Sequence, residues 1–183
     1  YPANVKDISD RAYEPALIEL LDKAERSIVI SMYNISLGAN ERNPIAFLLQ
    51  DLLEARQRNV EVTMYLNTNF REIDKEPHQF VNMPFFKKLV DAGCVIHLLP
   101  SRFRLHDKLI IVDNRFVVEG STNWSISALK ANFESDTLMD SPELAGIKLS
   151  RLKALPLTDE RKKKEIHRRL YLENLPDNIA LPK

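Results

Sequence analysis

The residues best suited to chemistry lie together between His106 and Asn123, in the stretch HDKLIIVDNRFVVEGSTN. His106 and Lys108 stand two apart at the start of an apolar run, residues 109–112. Because side chains alternate along a strand, His106 and Lys108 should share one face while Asp107 points the other way. A phosphodiester repels hydroxide by its charge, whereas an imidazole can attack phosphorus and split one hard step into two easier ones. The pair therefore indicates phosphoryl chemistry at the lip of a buried strand.

The spacing continues beyond this pair. Asp113 follows Lys108 after four intervening residues, and Gly120-Ser121-Thr122-Asn123 follows Asp113 after six more. This pattern resembles the HKD motif of the phospholipase D superfamily. Glu134, in Asn-Phe-Glu-Ser, stands where the small single-motif bacterial endonucleases of that superfamily carry an active-site glutamate. The order of helices and strands from about residue 9 to residue 150 is also similar to one such domain.

The resemblance implies a role for each matched residue. His106 would be the nucleophile and would form a phosphohistidine intermediate. Lys108 and Asn123 would donate hydrogen bonds to the non-bridging phosphate oxygens, where charge builds up. Ser121 would assist through its hydroxyl or its backbone, and Glu134 would accept a hydrogen bond from the second nitrogen of an imidazole and so fix its tautomer.

Two motif residues are expected to be structural. Asp113 begins Asp-Asn-Arg, which is good turn chemistry. We therefore assign Asp113, with Gly120, to the shape of the motif and not to substrate contact. Trp124 is expected to anchor the core, and Cys94, within an apolar run, to be a small core residue.

Reactions of this type also need a general acid to protonate the leaving oxygen, and in the superfamily a second copy of the motif supplies it. The other histidines of the chain, His78, His97 and His167, are not followed two residues later by lysine. His97 lies in an apolar run and is interpreted as a core residue. The economical solution is a homodimer in which two motifs face each other across a twofold axis.

No cofactor and no metal are expected. The chain has one cysteine and no His-x3-His spacing, so it offers no zinc site. The acidic residues near the motif are too scattered for a two-metal phosphodiesterase.

The motif predicts the reaction but does not identify the substrate. We expect a nucleic acid, DNA or RNA, because Arg102 and Arg104 lead into the motif and could contact flanking phosphates, although they could equally be ordinary solvated arginines. Phospholipid hydrolysis or transfer is the alternative, with an apolar lip that could come from Phe80, Met83, Phe85 and Phe86, although helix packing explains these better. A catalytically silent nucleic-acid-binding module is the third reading. No obligatory protein partner is indicated.

Composition bounds these readings. Lysine plus arginine and aspartate plus glutamate number 26 each, so net charge does not favour nucleic acid and any attraction for phosphate must be local. The chain begins with Tyr1, so we expect a preceding segment, and the compartment stays open between a signal, an anchor or neither.

The periodicity of apolar residues predicts the elements that position the motif. An alternation of strands and helices is followed by clustered strands, which predicts a phospholipase D-like α/β sandwich with a central mixed β-sheet flanked by helices. We expect a catalytic domain over 1–155 and a charged helical extension over 156–183. The basic run 160–169 is interpreted as a solvated helix face or end-cap, with an anion-binding patch as the alternative. Helices are predicted at 14–24, 45–58, 84–92, 125–130, 142–152 and 159–173, and strands at 27–33, 60–66, 94–99, 109–112, 116–119 and 135–139.

Overall fold

The computed structural model describes residues 2–37, 43–67, 84–100 and 102–157. Within these ranges seven strands form one sheet. The strands are β1 (Asn4–Asp7), β2 (Ser27–Met32), β3 (Glu61–Asn67), β4 (Val95–Leu99), β5 (Lys108–Val112), β6 (Phe116–Gly120) and β7 (Asp136–Asp140). The helices are α1 (Tyr13–Asp22), α2 (Pro44–Gln57), α3 (Pro84–Asp91), α4 (Ile126–Lys130) and α5 (Pro142–Lys153), and a 3-10 turn spans Asp10–Ala12.

The strand order is β1-β7-β6-β5-β2-β3-β4. β2, β3 and β4 run parallel, as strands joined by long crossover connections do. The remaining neighbours, from β2 through β5, β6 and β7 to β1, pair antiparallel. The predicted α/β sandwich with a central mixed sheet flanked by helices is therefore confirmed.

The central strand β5 is buried on both faces, as its apolar run predicted. Ile110 and Val112 face a large core to which α1, α2, α3 and α4 contribute. Leu109 and Ile111 face a smaller core shared with α5. A shift in the register of β5 would draw the charged Lys108 or Asp113 into the buried part of the sheet, which is costly, so β5 is a rigid support for the residues at its ends.

Two predicted helix boundaries have the expected local cause. The Asn43 side chain accepts hydrogen bonds from Ile45 N and Ala46 N, each 3.0 Å long, and caps α2. Gly93 follows α3 with a φ of +88°, a conformation in which glycine is strongly preferred after a helix.

Two features differ from the prediction. In the helix predicted at 45–58, the apolar pattern counts Phe47 among the inward-facing residues, but Phe47 is 56% exposed, because α2 buries the line of Ile45, Leu48 and Leu52. β1 was not predicted, because all four of its side chains are exposed and carry no apolar pattern. Its place comes from pairing with β7 at the edge of the sheet.

The chain leaves α5 along the smaller core. Leu155 and Leu157 pack against that core, so contacts continue just past residue 155, where the catalytic domain was predicted to end. The rest of the predicted extension lies outside the described residues, as do residues 68–83, which include Phe80 and Met83. No helix in the described ranges is both long and apolar enough to cross a membrane.

Candidate active site

The ends of the strands form two opposite edges of the sheet. His106 and Lys108 lie at the edge where β2, β3 and β6 end and β5 and β7 begin. The Lys108 ammonium nitrogen is 3.4 Å from His106 Nδ1 and 3.5 Å from Nε2, and it donates to the His106 carbonyl at 3.2 Å. The His106 side chain is exposed. The structure thus brings the imidazole and the ammonium group together, open to solvent, on one face.

The aromatic ring of Tyr33 lies close to both His106 and Lys108. The sequence did not predict Tyr33 as a residue of the site. Its ring centroid is 4.5 Å from that of His106, and Lys108 Nζ lies 4.8 Å from the same tyrosine ring. A cation over an aromatic face is attracted by the ring quadrupole. The only sequence signal was a tyrosine at the end of a predicted strand, which does not by itself distinguish a site residue.

Lys108 is partly buried. Burial lowers the pKa of Lys108 below its ordinary value, an effect that the carboxylates of Glu134 and Asp107 oppose. A charge that is partly removed from water interacts more strongly with an approaching anion than an exposed one does. The ammonium group is therefore placed and desolvated as a phosphate ligand should be.

The side chain of Asn123 has one unpaired buried atom. Its Oδ1 is buried, and among the described residues it has no hydrogen-bond partner. An orphaned buried polar atom is costly and calls for an explanation. The unpaired oxygen can accept a hydrogen bond, whereas only the NH2 group of this carboxamide can donate one.

Gly120 lets the end of β6 pass closely against β7. A Cβ at this position would lie 2.2 Å from Asp136 Oδ1 and 2.3 Å from the Ser135 carbonyl oxygen. Asp136 is buried, and burial raises its pKa, while hydrogen bonds from Thr122 oppose that shift. A larger side chain at position 120 would force the end of β6 away from the start of β7.

Ser121 and Glu134 bind each other. The Ser121 hydroxyl donates to Glu134 Oε2 and accepts from Ser135 N at 3.0 Å. Glu134 Oε1 accepts from Asn132 Nδ2 at 2.9 Å. The Glu134 carboxylate is thus bound by Ser121 and Asn132, and no imidazole among the described residues binds it, which leaves its predicted role as a prediction.

The loop that carries Glu134 is held by the 3-10 turn near the start of the chain. The Arg11 guanidinium donates to the carbonyls of Leu129 and Asn132. Asp10 Oδ1 accepts from Glu134 N at 2.7 Å, and Asp10 N donates to the Glu134 carbonyl at 3.0 Å. Glu134 is therefore fixed by its backbone as well as by its side chain.

Asp107 points to the opposite face, as strand alternation predicted. Its carboxylate accepts from Ser31 Oγ at 2.7 Å and from both terminal nitrogens of Arg151, at 2.7 and 2.9 Å. Burial acts to raise the pKa of Asp107, but the hydrogen bonds from Arg151 and Ser31 outweigh it and leave the pKa below its ordinary value. This pair anchors the middle of the His-x-Lys segment to α5.

Asp113 lies at the other edge of the sheet, in a turn where Asp113 and Asn114 both have a φ of +55°. Its carboxylate accepts from the backbone nitrogens of Glu25, Arg26 and Ser27, at 3.1, 2.7 and 2.9 Å. These contacts fit the predicted loop-shaping role.

Arg102 and Arg104 are exposed in the segment between β4 and β5. The Arg102 guanidinium lies 4.9 Å from the ring of its neighbour Phe103. Their predicted contact with flanking phosphates stays a prediction.

His97 differs from the expected core histidine. It is only partly buried, and its ring lies 4.9 Å from that of Tyr65. The smaller core covers this part of β4 incompletely, since Val95 on the same strand is 48% exposed. His78 and His167 lie outside the described residues.

Other apolar predictions concern the core. Cys94 is buried, and burial raises its pKa to about 11, which fits an unreactive thiol. Trp124 is fully buried and donates from Nε1 to the Tyr13 hydroxyl at 3.3 Å, so its assignment as a core anchor is confirmed. Phe86 is also buried in the larger core and therefore cannot form an apolar lip.

Within the described ranges, no group of three or more His, Cys, Asp or Glu side chains is placed to hold a metal ion.

Comparison with known proteins gives a consistent result. A family model described as cardiolipin synthase, PLD-like domain, matches residues 17–153. Phospholipase D of Rickettsia typhi is 27% identical over 130 residues, which are 70% of this chain and 55% of that protein. The chain thus spans about half the length of the curated relatives it matches.

Solved structures share the fold. Nuc from Salmonella typhimurium, a phospholipase D family member, superposes with a TM-score of 0.62 at 23% identity, covering 83% of this chain and 93% of that one. NucT from Helicobacter pylori has a TM-score of 0.63 at 16% identity, with 84% and 96% covered. At these identities the likeness establishes the architecture.

Proposed function

The chain belongs to the phospholipase D-like family, and from that premise we propose that it is a phosphodiesterase that works through a phosphohistidine at His106. The observation that carries the proposal is the exposed imidazole with the Lys108 ammonium 3.4 Å from its Nδ1. A nucleophile and an anion-binding cation at this separation suit attack on a bound phosphate.

The reaction has two steps. In the first, a His106 nitrogen forms a bond to phosphorus, the bond to the leaving oxygen breaks, and that oxygen takes a proton from a second, protonated imidazole. In the second, water gives a proton to that imidazole and attacks phosphorus, which breaks the N–P bond and releases His106. Lys108 and Asn123 stabilise the charge that develops on the non-bridging oxygens.

The chain has no second His-x-Lys pair, and His97 lies within β4, so a second copy of the chain is the simplest source of the second imidazole. We propose that His106 of the partner subunit supplies it in a homodimer with a twofold axis through the shared site. Ser121 and Glu134 then hold this edge in shape, and Glu134 is within electrostatic reach of Lys108.

A nucleic acid is the substrate we favour. The support is the resemblance of the motif to the small single-motif endonucleases, together with exposed Arg102 and Arg104 just before His106. Arginines next to a phosphate-cleaving group can hold the flanking backbone of a polymer.

A phospholipid is the second candidate, and two exposed residues favour it. Phe133, next to Glu134, is 93% exposed, and Phe103, three residues before His106, is 40% exposed. These phenylalanines could meet acyl chains, and the relative in Rickettsia typhi is named a phospholipase D. A catalytically silent binding module is disfavoured, because an inert scaffold would not need the complete set of motif residues.

The substrate test is direct. Plasmid DNA, RNA and phosphatidylcholine vesicles are each incubated with the chain in excess EDTA, alongside His106→Asn. We expect cleavage of nucleic acid by the unaltered chain only, because imidazole and Lys108 do the work of a Lewis acid. Cleavage of lipid alone would favour the second candidate, and cleavage of none of the three substrates would favour the silent module.

The same assay tests the need for a metal. Loss of activity in EDTA with recovery in magnesium or zinc would overturn the metal-free mechanism.

The shared site is tested by mixing subunits. An excess of His106→Ala chains should suppress the unaltered chain by forming dead heterodimers, and Lys108→Ala mixed with His106→Ala should regain little activity. Suppression no greater than dilution, or a fully active monomer in sedimentation, would contradict the dimer.

A further inference from the structure

Asn67 is a buried asparagine whose side chain is fully committed inside the protein. It is the last residue of β3, and it is 7% exposed. Its Nδ2 donates to the carbonyls of Tyr33 at 3.0 Å and Leu105 at 2.8 Å, and its Oδ1 accepts from Leu105 N at 2.8 Å. One carboxamide therefore ties together three backbone groups from two separate segments.

Both segments lead directly to the proposed site. Leu105 precedes His106, so Asn67 fixes the peptide from which the nucleophile emerges. Tyr33 carries the ring that lies 4.5 Å from the His106 ring and 4.8 Å from Lys108 Nζ. Asn67 itself contacts neither His106 nor Lys108 through any of these bonds, and it could affect them only through its neighbours.

The hydrogen bonds require an amide at this position. Two of the partners are carbonyl oxygens, which need donors, and the third is an N–H, which needs an acceptor. Asparagine supplies all three in one planar group, whereas an ionised aspartate of almost the same shape accepts only. Aspartate here would face two carbonyl oxygens without a proton to share.

We propose that Asn67 is a positioning residue for His106, acting through Leu105 and through the ring of Tyr33. It holds the end of β2 and the segment before β5 at a fixed separation, so that imidazole, ammonium and tyrosine ring keep one geometry. The catalytic meaning of this role rests on the proposed phosphodiesterase activity. The geometry of His106 can be read without any substrate.

Asn67→Asp is the informative variant, and Asn43→Ala is the matched control. Asn43 is also a buried asparagine, and its side chain accepts from Ile45 N and Ala46 N and donates to the Leu37 carbonyl. Both variants should lower the melting temperature. Only Asn67→Asp should lower kcat on a nucleic-acid substrate, by roughly 10- to 100-fold with KM nearly unchanged, because a small misplacement of reacting groups has effects of that size.

A spectroscopic measurement separates this proposal from the proposed function. The Tyr33 ring should shift the NMR signals of the His106 ring protons by its ring current. These signals should move toward ordinary values in Asn67→Asp and stay in place in Asn43→Ala, even if no substrate is found. A folded Asn67→Asp chain with unchanged kcat and unchanged His106 signals would overturn the proposal.

Tyr33→Leu covers the case in which Asn67→Asp does not fold. This variant keeps the Tyr33 carbonyl that Asn67 binds and removes only the ring, so it should fold. Because deleting the ring removes its ring current directly, kcat is the measurement that counts for this variant, and it should fall. An unchanged kcat would contradict a positioning role that runs through the ring.

Discussion

The two edges of the sheet treat their motif residues in opposite ways. At one edge the Asp113 carboxylate is taken up by three backbone N–H groups of the segment before β2. At the other edge Asn123 Oδ1 has no partner among the described residues, and His106 is exposed beside Lys108. Both edges carry residues of one short motif. The Asp113 carboxylate is satisfied by the protein and maintains the fold, whereas on the proposed mechanism His106, Lys108 and Asn123 meet their partners in a bound phosphate.

The largest effect should come from His106. His106→Asn should lower kcat by at least about 10⁴-fold, as removal of a nucleophile does, while the melting temperature stays unchanged because the side chain is exposed. His97→Asn is the matched control and should keep activity. A tenth of the unaltered rate in His106→Asn would contradict the assignment.

Lys108 should come next. Lys108→Met should lower kcat by about 10²- to 10³-fold, the usual effect of removing one preorganised charge from a developing anion. Lys130→Met removes a lysine of α4 that pairs with Glu14, and its rate should match the unaltered chain. Equal rates for the two variants would place the phosphate elsewhere.

Asn123→Ala sharpens the comparison most directly. It should lower kcat by roughly 10- to 100-fold with little change in the melting temperature, because the buried oxygen that it removes has no partner among the described residues and leaving such an atom unpaired is itself costly. Steady-state kinetics and thermal unfolding on one sample measure both. A clear loss of stability with normal kinetics would make Asn123 a structural residue, like Asp113.

Asp113→Asn should show the reverse. Burial acts to raise the pKa of Asp113, but the backbone N–H groups of Ser27, Glu25 and Arg26 outweigh it and leave the pKa below its ordinary value. The ionised carboxylate therefore stabilises the fold above the unfolded pKa of about 3.9, and this contribution is lost as the pH falls through the lower folded pKa.

Urea unfolding at several pH values tests whether the ionised Asp113 stabilises the fold. The variant should be less stable by about 1–2 kcal/mol near neutral pH, and the gap should close as the pH falls below about 4. Its kcat should stay within about twofold of the unaltered chain, since no hydrogen bond reaches from Asp113 to the other edge. A gap that widens in acid would contradict the argument.

The sequence correctly predicted the features that depend on short stretches of the chain. The alternation at His106, Asp107 and Lys108, the turn at Asp113 and the cap at Asn43 each depend on neighbours within a few residues. These features were therefore visible without coordinates. Phe47 was the local failure, because a helix only three to four turns long leaves room for more than one apolar face.

Long-range contacts could not be predicted. Asn67 meets Leu105 across 38 residues, and Arg151 meets Asp107 across 44. Nothing near Tyr33 in the chain indicates that its ring lies against His106. Such residues have ordinary identities, and only the register of β2, β3 and β5 brings them to the site.

The hydrogen bonds that join Asp10 and Arg11 to the loop that carries Glu134 also affect when the site can form during synthesis of the chain. The bond from Glu134 N to Asp10 spans 124 residues, and contacts between such distant parts of a chain form slowly. On the ribosome, where N-terminal segments emerge first, His106 leaves the tunnel before Glu134 can dock. We therefore expect the nascent chain to stay inert toward nearby phosphodiesters until β7 has been made and paired with β1.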